Sequence, residues 1–123
     1  MLCDRIPGPW EDMKLYRIPL SIVIYRECDI WFAHCLEMNL TGDGDSKREA
    51  VEQLRAAIDI QIEASVAHKN IDNLFGKIDP ERQKMFYSGR DVDLATGELR
   101  IHHDNIEVGA GYCREYDGEL LKC

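Results

Sequence analysis

No apolar run in the sequence approaches the roughly 20 residues that a membrane-spanning helix requires; the longest are cut by Arg26, Glu27 and Asp29. Basic residues are in deficit, Lys and Arg numbering 15 against 23 Asp and Glu, for a formal net charge of -8. An average surface of that sign repels phosphate backbones and anionic lipid headgroups, which argues against non-specific nucleic-acid binding or membrane attachment. It suits a small basic protein partner instead, because opposite charge speeds encounter. The start Met1-Leu2-Cys3-Asp4-Arg5 lacks the apolar core of a secretory signal, so a cytoplasmic protein is expected. Paired cysteine spacing is missing too: Cys3, Cys28, Cys35, Cys113 and Cys123 are odd in number, and reduced thiols are expected rather than a disulfide framework. What remains is ordinary, with 45% hydrophobic and 31% charged residues in a 123-residue chain. That make-up supports one globular core and is too short for two.

Residues 1–14 carry Pro7-Gly8-Pro9 without sustained periodicity and read as a loose leader. From Leu15 to Tyr25 the residues Ile18, Leu20, Ile22 and Ile24 recur at a period of two, which predicts a strand. Pro19 makes it an edge strand or lies near its start. The run Ile30 to Leu36 completes a hairpin, and Met38 to Thr41 supplies a third short strand. Gly42-Asp43-Gly44-Asp45 then breaks the pattern, and Ser46-Lys47-Arg48-Glu49 has the spacing of a capping box, Ser46 as N-cap and Glu49 reaching back. Ala50, Val51, Leu54, Ile58, Ile62 and Val66 continue at helical spacing to about His68, with Glu52, Arg55, Asp59 and Glu63 opposite.

Residues 71–76 fit either a fourth strand or a helix exit. Asp79-Pro80 opens a short helix with Pro80 at its first position. Val92, Leu94, Leu99, Ile101, Ile106 and Val108, divided by Thr96-Gly97 and Asp104-Asn105, predict a small β-meander. The expected fold is therefore α+β: an antiparallel sheet of three to four strands covered by one long helix over residues 15–76. Residues 77–123 form a C-terminal extension with a short helix and a β-meander, without a recognisable DNA-binding motif.

The stretch Trp31-Phe32-Ala33-His34-Cys35-Leu36-Glu37, followed by Gly44-Asp45-Ser46-Lys47-Arg48-Glu49-Ala50 and the helix beyond, resembles the N-terminal domain of HicB-type antitoxins over residues 16–68. Leu36-Glu37 stands where that family has a Pro-Asp corner. The resemblance implies a partial ribonuclease-H-like fold without catalytic activity or cofactor. It also implies a role in masking a small basic HicA-like mRNA-cleaving toxin. Family members commonly add a helix-turn-helix or ribbon-helix-helix; residues 77–123 are not basic and read as turns and short strands, so operator-DNA binding is not expected.

The acidic set Glu37, Asp43, Asp45 and Glu49 is the candidate partner-binding surface, expected around one end of the sheet. Its bland counterpart is solvation of loops. Two other functions compete: an orphan homo-oligomeric domain, dimeric or larger, pairing through a strand edge such as Leu15–Tyr25, and a divalent-metal nuclease or hydrolase remnant using Glu37, Asp43 and Asp45. The remnant is disfavoured because its carboxylates lie mostly on a loop and a helix start. Gly44-Asp45-Ser46 resembles an anion site only until Asp43 and Asp45 are counted, and capping is preferred. His34 and Cys35, with His102-His103 and Cys113, lack metal-ligand spacing, since adjacent strand residues point to opposite faces. A two-residue turn pairs Ile22 with Cys35 and a three-residue turn pairs it with His34; Cys35 is favoured inward and His34 outward. Trp31, Phe32, Phe75, Phe86 and Tyr87 lack interleaved cations and read as packing residues, not a base-stacking platform.

Overall fold

The computed structural model describes residues 16–69, 74–93, 99–103 and 106–117. The leader, residues 70–73 and the turns at Thr96-Gly97 and Asp104-Asn105 lie outside them. The fold is α+β, with the order β1 (Tyr16–Glu27), β2 (Ile30–Cys35), β3 (Leu40–Gly44), α1 (Lys47–Ala67), α2 (Pro80–Ser88), β4 (Arg90–Asp91), β5 (Arg100–His103) and β6 (Ile106–Glu115). One sheet holds all six strands in the order β3-β2-β1-β6-β4, with β5 also paired to β6.

The expected antiparallel sheet of three to four strands is thus a mixed sheet of six, because β6 runs parallel to β1 from Tyr16↔Ile106 to Ile24↔Glu115. Alternation marks Ile106, Val108 and Ala110 as a strand face, but period two carries no information on which strand lies alongside. Of the two alternatives for Pro19, a place near the start of the strand holds, since β1 begins at Tyr16. β1 lies between β2 and β6 and is not an edge. Pro19 is tolerated because β2 first pairs at Ile22, so among the described strands only β6 flanks β1 at the proline, and there the register shifts between Leu20 and Ser21, leaving Gly111 as the extra residue of a bulge.

Cys28 and Asp29, with φ of 54° and 69°, make the two-residue turn of the first hairpin, the primed geometry that matches strand twist. It sets Ile22 opposite Cys35. Cys28 is disulfide-bonded, against the expectation of reduced thiols, whereas Cys35 and Cys113 are free of disulfides. Helix α1 runs as the periodicity predicts, and Ser46 Oγ accepts from the Glu49 amide at 3.1 Å. The reciprocal bond differs from a standard capping box: the Glu49 carboxylate accepts from Asp45 N at 2.7 Å, one residue before the cap.

Gly42-Asp43-Gly44, expected as a break, belongs to β3. The reason is the distance between helix and strand. A Cβ on Gly42 would lie 2.2 Å from Leu54 N and 2.5 Å from Ala50 O, so only glycine lets α1 sit this close to the strand. Beneath α1 lies the main core, in which Leu20, Ile22, Ile24, Ala33 and Cys35 meet Val51, Leu54, Ile58 and Ile62, joined by Leu99, Ile101, Val108 and Cys113. The residues expected as an extension therefore contribute to this core. Each fully buried aliphatic chain contributes about 1.5–3 kcal/mol.

The opposite sheet face is not bare. Val23, Tyr25 and Leu36 pack there with Met85 and Phe86 of α2, so among the described elements a second helix covers the sheet besides α1. Asp79 caps α2 by accepting from Glu81 N at 3.1 Å, with Pro80 in the first turn as predicted. No helix among the described residues is long and apolar enough to cross a membrane.

Candidate partner-binding site

The four acidic residues do not share one end of the sheet. In the β2–β3 pairing, Cys35 faces Leu40 at one end and Trp31 faces Gly44 at the other. Glu37 follows the first end, whereas Asp43, Asp45 and Glu49 cluster near the second, about 13 Å away by strand rise. Glu37 is also occupied. Its carboxylate accepts from Ser21 N and from Ser21 Oγ, both at 2.8 Å, while its backbone carbonyl accepts from Gly76 N at 3.0 Å. It clasps β1 and the residue 76 loop to the turn after β2. A one-letter sequence shows an acidic residue and nothing of this, because Ser21 lies 16 residues earlier.

Asp43, Asp45 and Glu49 are exposed. Asp43 stands across from Phe32 on the strand face opposite α1. Asp45 and Ser46 bridge the strand to the helix, and Glu49 is the acidic residue of the first turn, where the dipole favours negative charge. Lys47, in the same turn, is directed elsewhere: its Nζ lies 2.7 Å from Glu115 Oε1 and 4.9 Å from the Trp31 ring centroid. Glu115 is buried, its side chain 8% exposed, and also meets Arg90 at 3.6 Å. Lys47 therefore ties the start of α1 to the end of β6, and its charge is taken up there.

His34, expected outward, is buried. Cys35 enters the main core, as favoured, while His34 enters the second face, where Nδ1 lies 2.6 Å from Thr41 Oγ1. Its Nε2 is enclosed with no hydrogen-bond partner among the described residues. Burial lowers the imidazole from 6.5 to about 4, Arg82 adding repulsion and Asp79 opposing it. The expectation failed because it allowed a single covered face; α2 covers the second. Arg82 of α2 donates from Nε to Tyr25 Oη at 2.9 Å, with its guanidinium 4.9 Å from that ring's centroid. Tyr25 in turn stacks on Phe32 at 5.2 Å.

A neutral imidazole bonded to an alcohol resembles a nucleophile pair, but a base needs a pKa near the working pH. His34 falls well below it. Cys35 is equally unsuited, since burial pushes its thiol up to about 12. Among the described residues no three His, Cys, Asp or Glu side chains are grouped to hold a metal ion, and Glu37 is remote from the other two carboxylates of the nuclease reading. The aromatic residues are dispersed: Trp31 packs towards the α1 core, Phe32 and Phe86 on the opposite face, and Tyr87 is exposed.

No family model matches the chain, and neither a curated protein nor a solved structure matches it.

Proposed function

We propose that the chain is a non-catalytic binding protein of the HicB antitoxin type, masking a small basic HicA-like mRNA-cleaving toxin. The observation that carries this reading is the exposed carboxylate group of Asp43, Asp45 and Glu49 along β3 and the first turn of α1, with Lys47 diverted to Glu115. Three exposed carboxylates on rigid elements offer a basic partner both steering and a fixed register. The meander β1-β2-β3 leading straight into α1 spans the residues that carry the family resemblance and supports the same reading. Glu37 drops out of the contact set because Ser21 already satisfies it.

The test is affinity capture with the full chain at low and high salt, followed by identification of the captured protein and an RNA-cleavage assay on it. The reading expects one small basic protein that cleaves RNA alone and not in complex. Capture should fall as salt rises and fall at least about tenfold with Asp43→Lys/Asp45→Lys, since each charge contact contributes on the order of 1 kcal/mol and reversal adds repulsion. A captured protein without RNase activity, capture untouched by the double variant, or recovery of the chain alone each overturn it.

A further inference from the structure

Away from α2, none of the described elements covers the sheet face opposite α1, and it carries a groove of about 490 Å³. Its floor is peptide backbone. Gly109 and Gly111 of β6 present no side chains there, and a Cβ on Gly111 would meet Pro19 Cβ at 2.8 Å. Arg17 and Pro19 of β1 form one wall and Arg100 of β5 the other. Because Pro19 pairs with Gly109 and Gly109 with Arg100, the walls stand two strand spacings apart, about 10 Å. Ile18, Leu20, Val108 and Ala110 point into the main core beneath α1, so alternation puts Arg17, Pro19, Glu107 and Gly109 on the open side.

The charges here run against the rest of the molecule. In a chain of net charge -8, Arg100 is exposed and engages in no ion pair among the described residues. Among the described residues Arg17 is held only by Glu107, at 3.5 Å and with 77% of its side chain exposed. Arg100 stands beside Gly109, and Arg17 beside Glu107, the next position of β6 on that face; from Gly109 to Gly111 the strand presents no side chains on this side, and a planar ring can lie there. Guanidinium groups hold phosphate by paired N–H bonds, while bare glycine backbone permits the close approach that a ring needs.

The geometry points to a binding site for a nucleoside monophosphate in this groove, the base on the Gly109–Gly111 backbone and the phosphate between Arg100 and Arg17. Glu107 acts as the internal competitor that the phosphate displaces from Arg17. The site is independent of the acidic end, and either assignment stands if the other fails.

The test titrates the full chain with AMP, adenosine and inorganic phosphate, following backbone amide and arginine Nε resonances. AMP is expected to bind with a Kd of about 1 mM or tighter, shifting Gly109, Gly111 and Arg100. Adenosine and phosphate should each bind at least about tenfold more weakly, because each supplies half of the contacts. Arg100→Lys and Arg100→Ala, both at an exposed position, should weaken AMP about tenfold while leaving the rest of the spectrum in place. Glu107→Gln should tighten it several-fold. Absence of saturable AMP shifts, equal affinity for phosphate alone, or an Arg100→Ala variant that binds AMP as tightly as the parent each overturn the assignment.

Discussion

Acidification should destabilise this protein through His34 in an identifiable window. In the unfolded chain the imidazole titrates near 6.5, whereas burial between the sheet and α2 holds it down to about 4. The unfolded state therefore takes up the proton first as pH falls. Stability from the neutral, buried His34 is complete above 6.5 and is lost progressively as the pH falls towards the folded value. The drop from 6.5 to about 4 corresponds to about 3 kcal/mol, a large part of the stability of a domain this size. Carboxylates titrate over the lower part of the same range, so the contribution is isolated by His34→Asn, whose amide keeps a partner for Thr41 Oγ1 and does not ionise. Urea unfolding between about pH 7.5 and about pH 4 should show the parent losing about 3 kcal/mol more than the variant. The variant should be the less stable at neutral pH, because it leaves a small void, and the two should converge at the acid end. Curves that stay parallel across the window would refute a neutral, buried His34. A His34 resonance that titrates near 6.5 in the folded protein would do the same.

Three further outcomes follow from packing and hydrogen bonding. Gly42→Ala places a methyl against the backbone of Leu54, Ala50 and Gln53 at 2.2–2.8 Å, which α1 relieves only by moving off β3; a loss of about 3 kcal/mol is expected, and an unchanged thermal midpoint would show that the helix is not seated there. Glu37→Ala removes both bonds from Ser21 and should cost about 2 kcal/mol in urea unfolding, whereas a Glu37 that acts only at a partner surface would leave stability unchanged. Ser46→Ala deletes the N-cap acceptor of the Glu49 amide and should cost about 1 kcal/mol, with Ser46→Gly or Ser46→Asp recovering most of it.

The first hairpin, the capping residue Ser46, the span of α1 and the proline-led start of α2 were legible from residue types, because each rests on interactions within a few positions of the chain. Spacing alone places Leu54, Ile58 and Ile62 on one stripe, and Pro80 after Asp79 marks a first turn wherever it occurs. The candidate site was legible only in part. Asp43, Asp45 and Glu49 stand near one another because they are near in sequence, whereas Glu37 is drawn away by Ser21 and His34 inward by α2.

The sequence by itself therefore determined the local elements, the acidic balance and the alternation of residues between the two faces of a strand, since these depend on propensity and on periods of two and 3.6. Tertiary structure alone decided that β6 runs parallel beside β1, that both sheet faces carry a helix, that Gly42 is a seat for α1, and that Arg17 and Arg100 line the same groove. The physical reason is range. A period repeats along one segment and is visible within it, whereas the partner of a strand edge or a buried imidazole is set by which distant surfaces exclude water together.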